Sequence, residues 1–132
     1  MSAIDIGWNK EIVSGKDSVV IRSYVDGIKG GKVLDMTGFA PEVIKTGHVI
    51  IKSNSDIYKP MPLNAAGDAY GALPANHSYV GICMTTREWA KEGSDVGIMT
   101  IGEFNSVAAP YDFSTIAAAF KAAVPTINFD HD

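Results

Sequence analysis

A mainly β fold, α+β only through one late helix, is what this sequence predicts, and three observations predict it. Short runs rich in β-branched and aromatic residues recur at about ten-residue spacing. Gly, Asn, Asp and Pro punctuate them. Helical spacing of apolar residues appears once, near the C-terminus. Short strands so spaced read as a small β-barrel or β-sandwich.

Residues 1–17 mix Gly, Asn and Lys with a weak alternation and read as an extended N-terminal arm. Ile4, Ile6 and Trp8 alternate with Asp5 and Gly7, giving the arm one apolar edge. A terminal segment stays loose unless something holds it, so these three residues are the candidate contacts with a neighbour. Residues 18–132 form the single β-rich domain.

Val19-Val-Ile-Arg-Ser-Tyr-Val25 is the first strand, and Asp26-Gly27 after it reads as a tight turn. Gly30-Gly31 punctuates again before Lys32-Val-Leu-Asp-Met36. Pro41 keeps its own segment out of a central strand. His48 to Lys52 is a short buried strand, and Asn54-Ser-Asp56 turns the chain. Ile57-Tyr-Lys59 resumes before Pro60 and Pro62, two missing donors that confine this piece to an edge or loop. Asn64 to Ala75 is long, Gly- and Ala-rich and irregular, which marks it as a contact surface. Tyr79-Val-Gly-Ile-Cys-Met84 is a second apolar strand, with Gly81 signalling a bulge or a close backbone approach. Val96 to Ile101 is a third, broken at Gly102, where the Gly-Glu-Phe-Asn105 corner should require a backbone that larger residues resist. Phe113, Ile116, Ala117, Phe120 and Val124 carry the helical period, so the helix is expected over 113–124, with Asp112 as N-cap and Pro125 as its end. Thr126 to Phe129 closes as an extended segment.

At 132 residues, 46% of them hydrophobic, one ordinary core is within reach without staples. A net charge of −4, dispersed along the chain, lacks the basic stripe a nucleic-acid partner demands. The N-terminus has no basic region followed by an apolar run, and no stretch approaches the ~18 apolar residues of a membrane span. No membrane or nucleic-acid role is expected, and synthesis in a cytoplasm is. The single cysteine, Cys83, excludes an internal disulfide and a cysteine zinc site.

The chemical candidates are sparse. Cys83 lies in an apolar strand, where a thiol is buried and inert. His48, His77 and His131 lack metal-ligand spacing, and Asp130-His131-Asp132 reads as a solvated end. Gly27-Ile-Lys-Gly-Gly-Lys32 has glycines and lysines but not Walker spacing, with Val33 where Ser or Thr would hold magnesium. Glu88 and Glu92 flank Trp89 at a spacing that invites a paired-carboxylate reading, yet Arg87 and Lys91 interleave them as on a solvated charged face. Trp89 with Tyr70, Tyr79 and Tyr111 supplies the alternative reading, a carbohydrate-binding platform. No convergent catalytic set emerges and no cofactor or metal is implied, so the expectation is a binding module, not an enzyme.

Four segments carry a family resemblance. Gly47-His-Val-Ile-Ile, Tyr58-Lys-Pro-Met-Pro-Leu, Leu73-Pro-Ala-Asn-His-Ser-Tyr-Val-Gly-Ile and Gly97-Ile-Met-Thr-Ile-Gly-Glu-Phe-Asn-Ser-Val-Ala resemble the head-fibre and auxiliary capsid proteins of tailed bacteriophages, those of crAss-like phages and their relatives in particular. More distantly, they resemble the lambda-type head decoration module. The resemblance spans about residues 47–111 and rests on common strand and turn residues. It implies a decoration-type domain of short strands whose mobile arm pairs with a capsid shell. The implied partner is the major capsid protein and the implied location the capsid surface of the virion, reached from the host cytoplasm during assembly. A homo-oligomer, a trimer by the lambda-type analogy, is implied as well. A head fibre would continue into a stalk of heptads or repeats, which this sequence lacks, and the 113–124 helix has no counterpart in the family pattern. Both departures favour a short decoration protein over a fibre. In that picture Ile4, Ile6 and Trp8 fill pockets on a capsid subunit.

Overall fold

The computed structural model describes residues 20–28, 31–36, 39, 43–86, 95–106 and 108–129. In chain order these form β1 (Ile21–Gly27), β2 (Lys32–Val33), β3 (Val49–Ser53), β4 (Tyr58–Pro60), β5 (His77–Cys83), β6 (Asp95–Val96), β7 (Ile98–Phe104), helix α1 (Ala117–Ala123) and β8 (Ile127–Phe129). The expected mainly β class with one C-terminal helix is what the chain adopts. The arm, with Ile4, Ile6 and Trp8, lies outside the described residues.

The main sheet runs β1-β7-β5-β3-β4, with β8 also paired to β7, and β2 and β6 form a separate two-stranded ribbon. All neighbours are antiparallel except β7 and β8, which are parallel and joined through α1. The terminal strands β1 and β4 do not meet, so the sheet is open and the barrel alternative is corrected. The reason lies in where the apolar residues point. A barrel has one interior, whereas this sheet carries a core on each face. Val49 and Ile51 of β3, Ile82 of β5 and Met99 of β7 face a core completed by Phe113, Ile116, Phe120 and Ile127. Ile50, Cys83 and Ile98, their alternating neighbours, face a second core with Leu34, Met36, Phe39 and Ile44. Successive side chains on a strand point to opposite faces, so a sheet covered twice needs unbroken apolar runs. Val49-Ile50-Ile51, fully buried, is such a run.

Local chemistry explains most of the junctions. β4 is an edge strand, as Pro60 at its end and Pro62 just beyond it require. The turn from β3 to β4 is held by Ser53, whose Oγ accepts the N–H groups of Ser55 and Ile57, each at 3.2 Å, while Asp56 adopts a positive φ of 61°. Gly81 sits beside a register shift between β3 and β5, and it also comes close to the β7 backbone. Both meanings of that glycine hold at once.

Three local expectations are corrected. Asp26 and Gly27 do not turn: they continue β1, opposite Ile101 and Met99 of β7. The turn comes later, where the Ile28 carbonyl accepts the Gly31 N–H at 3.2 Å and Gly31 takes φ 70°. Helix α1 begins at Ala117, not at 113, because Phe113 to Ile116 form a tight turn closed by the Ile116 N–H on the Phe113 carbonyl at 3.1 Å. Asp112 consequently caps no helix: its Oδ1 accepts the Ser114 N–H at 2.9 Å, and no side chain caps α1.

Gly102, finally, interrupts nothing. It lies inside β7 between Tyr24 of β1 and Ile127 of β8. A Cβ there would strike the Ser23 carbonyl oxygen and come within 2.6 Å of Met99 Sδ. The requirement for glycine stands, but its cause is close strand approach and not a corner. Because β1 is terminal and Met99 flexible, both can yield. Gly102→Val is therefore expected to lower stability by about 2 kcal/mol, several degrees in Tm. An unchanged melting curve would refute the close approach.

Candidate functional site

Of the chemical candidates among the described residues, the thiol is buried and the two histidines are apart. Cys83 is fully buried, as expected of its apolar strand, with its Sγ–H donated to the Thr85 carbonyl at 3.0 Å. His48 precedes β3 at one end, while His77 pairs with Ser53 at the other, so the two do not converge. Among the described residues no three His, Cys, Asp or Glu side chains gather for a metal. Glu88, Trp89, Glu92 and the Asp130-His131-Asp132 tail lie outside the described residues. Also among the described residues, no helix is long and apolar enough to cross a membrane.

The aromatic candidates come together in part. Tyr70 and Tyr111 meet with ring centroids 5.8 Å apart, but at 67°, so they form no flat shelf. Tyr70 is buried, and its hydroxyl accepts the Val49 N–H at 3.0 Å. Burial raises its pKa far above the ordinary phenol value. Tyr79 packs edge-on to Phe120 instead. The Tyr79 and Tyr111 phenols are likewise raised by partial burial.

Around Tyr111 the chain builds a groove of about 580 Å³, with Asp112, Ser114, Lys121 and Phe129 among its walls. Lys121 Nζ lies over the Phe129 ring, 4.7 Å from its centroid, and Lys45 Nζ lies 6.0 Å from that of Tyr111. Asp112 is exposed, and its carboxyl is lowered by hydrogen bonds from the Ser114 backbone and side chain. The floor is hydrophobic: Phe113 touches Phe104, Phe120 and Phe129.

His48 is the unexpected centre. It has no solvent exposure. Its ring meets Phe39, Tyr70 and Tyr111 edge-on at 5.2, 5.2 and 5.3 Å. Nε2 lies 2.9 Å from the Met61 carbonyl oxygen, which can only accept, so Nε2 carries the proton. Among the described residues Nδ1 is buried without a hydrogen-bond partner, at a cost of about 1–3 kcal/mol. Burial lowers the pKa to about 4 from 6.5, against a smaller opposing contribution from the Met61 hydrogen bond. The sequence weighed this residue only as a metal ligand. The signal available was a single polar side chain heading the most buried apolar run of the chain.

Among the described residues, β1 carries neighbouring apolar side chains that stand exposed. Tyr24 and Val25 are 51% and 64% exposed, and Ile101 on neighbouring β7 is 36% exposed. β1 is also irregular, with register shifts against β7 on either side of the Ser23–Tyr24 pair, so it twists as bulged edge strands do. Comparison with known proteins leaves the site to its own geometry: no family model, curated protein or solved structure matches the chain.

Proposed function

We propose that this chain is a structural virion protein that binds the outer surface of a phage capsid, as a head decoration or head-fibre base protein, and stabilises the shell. The observation that carries the reading is β1. Among the described residues it is a terminal strand of the main sheet, its apolar side chains Tyr24 and Val25 are exposed, and in sequence it comes after the expected arm. Edge strands of this kind are ordinarily blunted, because their unpaired backbone recruits another chain. A capsid subunit is an occupant that the resemblance of residues 47–111 supports. Main-chain hydrogen bonds to such an edge supply affinity, and pockets for alternate side chains supply specificity. An interface of about 1,600 Å² suffices for stable attachment. In this reading Ile4, Ile6 and Trp8 seat the arm on the major capsid protein, and a homo-oligomer, a trimer by analogy, multiplies the contacts. The role needs no catalysis.

The test is co-sedimentation with expanded shells assembled from a tailed-phage major capsid protein. The full chain should saturate a fixed number of sites per shell. A chain lacking residues 1–17 should keep its circular dichroism spectrum and lose at least tenfold in affinity. Unchanged occupancy of the truncated chain would remove the arm from the mechanism, and failure of the full chain to bind would end the capsid reading.

The groove beside Tyr111 favours a second reading, a carbohydrate-binding module displayed on a virion. Its volume suits a small saccharide, and Asp112 and Ser114 offer hydroxyl partners. Binding on a glycan array, lost in Tyr111→Ala, would move the assignment there.

A further inference from the structure

We propose that His48 is an acid-sensitive lock that holds the loops 61–71 and 105–113 against the end of the main sheet. One neutral ring joins segments distant in the chain. Through Nε2 it grips Met61, and through its edges it touches Phe39, Tyr70 and Tyr111. It also stands where the two cores meet, since Phe39 belongs to one and Tyr70 to the other. A proton added at Nδ1 would create a donor and a positive charge with no acceptor in reach among the described residues. An unpaired buried charge is among the costliest things a core can hold, so the ring must leave its box for water. Its exit removes the donor to Met61 and the packing of both tyrosines together.

Among the described residues, the groups facing the ring offer no compensation. The segment before β3 brings Lys45, whose carbonyl accepts the His48 N–H at 3.1 Å and whose ammonium lies over Tyr111 on the outer side. That charge opposes a second cation. Loop 61–71 brings Tyr70, and loop 105–113 brings Tyr111, both phenols that stay neutral in acid. Asp68 and Asp112, on the same two loops, are exposed, and Asp112 is turned to Ser114. β5 contributes Cys83, whose N–H donates to the His48 carbonyl at 2.8 Å and whose thiol is engaged with Thr85. Asp35, on the segment leading to Phe39, lies at the surface.

The direction of the pH dependence follows. In the closed state the imidazole takes a proton only near pH 4, whereas in an opened, solvated state it does so near its ordinary value of about 6.5. The open form thus binds more protons between these limits. The lock is at full strength above about pH 6.5 and is lost progressively as pH falls toward 4, where the opening equilibrium constant has risen about a hundredfold.

Hydrogen exchange of the full chain between pH 7 and 4.5, corrected for intrinsic exchange, reads this out. Protection in 61–71 and 105–113 should fall more than tenfold, with β5 and β7 keeping theirs. His48→Gln, which keeps a donor for Met61 and cannot titrate, and His48→Phe, which suits the aromatic box, should both abolish the acid step. Equal loss of protection in the variants and the parent would overturn the proposal. If neither variant folds, two-bond ¹H–¹⁵N spectra of ¹⁵N-histidine-labelled parent decide. A His48 ring that takes a proton while both loops stay protected would overturn it, and protonation concurrent with loop opening would support it.

Discussion

Gly81→Ala is expected to be the most damaging single-methyl change available in this chain, costing about 3 kcal/mol or more. Gly81 lies in β5, opposite Ile50 of β3, and a Cβ there would run into the Met99 carbonyl oxygen of β7, with Ile98 Cγ2 only 3.2 Å away. β5 is the middle of the five-strand path, with β3 on one side and β7 on the other. Neither neighbour can retreat without breaking a ladder of hydrogen bonds that buried backbone must keep. Overpacking alone typically costs 1–3 kcal/mol, and here backbone opposes backbone, so the upper end is the floor. Against a total stability of about 5–15 kcal/mol, Tm should fall by roughly ten degrees or more. Gly67→Ala is the control: it has φ 77° and nothing within 4 Å of its would-be Cβ. That change carries only the left-handed backbone cost of about 1 kcal/mol. Urea denaturation of the two variants separates the effects. Equal midpoints would mean that β5 and β7 do not approach as closely as their backbones indicate.

The same glycine shows how much the sequence discloses. Gly81 within an apolar run announces that something comes near, because a strand gains nothing from glycine otherwise. It cannot announce which strand, since β3 before it and β7 after it flank β5 alike. Some local chemistry was legible in this way: Pro60 and Pro62 assign β4 to an edge, and the period of Phe113, Ile116, Phe120 and Val124 identifies four residues that are all buried. What depends on non-local pairing was not. Short alternating strands fit an open sheet as well as a closed one, and only the placing of cores on both faces decides. Gly102 looked like a corner because close approach by β1 and a turn ask for the same residue. The helix start moved from 113 to 117 because Asp112 serves a local turn with Ser114, a rival use of the side chain that also makes it a good cap.

The candidate site was less legible than the fold for a related reason. His48 acquires its character from Phe39, on the preceding segment, and from Tyr70 and Tyr111 much farther along the chain. A buried neutral imidazole leaves only one polar residue heading an apolar run as its linear trace, whereas metal-binding histidines have a spacing signature. The exposure of Tyr24 and Val25 was equally hidden, since β-branched and aromatic runs ordinarily indicate burial.

The second large effect concerns how the C-terminal unit is attached. Phe120→Ala is expected to cost about 3–5 kcal/mol and to release residues 113–129 selectively. Helix α1 has seven residues, no side-chain cap, and Phe120 as its one buried side chain. A helix that short is not stable in water by itself, so its existence depends on what Phe120 touches. The ring meets Tyr79 of β5 at 5.6 Å, Phe113 at 5.4 Å and Phe129 of β8 at 6.0 Å. It therefore fixes the helix to the sheet and to the strand that follows. β8 has an independent tie to β7: its own ladder, supported by the Thr126 hydroxyl on the Thr100 carbonyl at 2.5 Å. Three residues of pairing do not replace the lost ring. Hydrogen exchange should accordingly show 113–129 opening well below the denaturation midpoint, while β3, β5 and the first half of β7 remain protected until global unfolding. Phe120→Leu, which keeps most of the apolar volume, should recover most of the protection. Loss of protection that is uniform across the sheet, with no early opening of the C-terminal unit, would show instead that Phe120 belongs to one indivisible core.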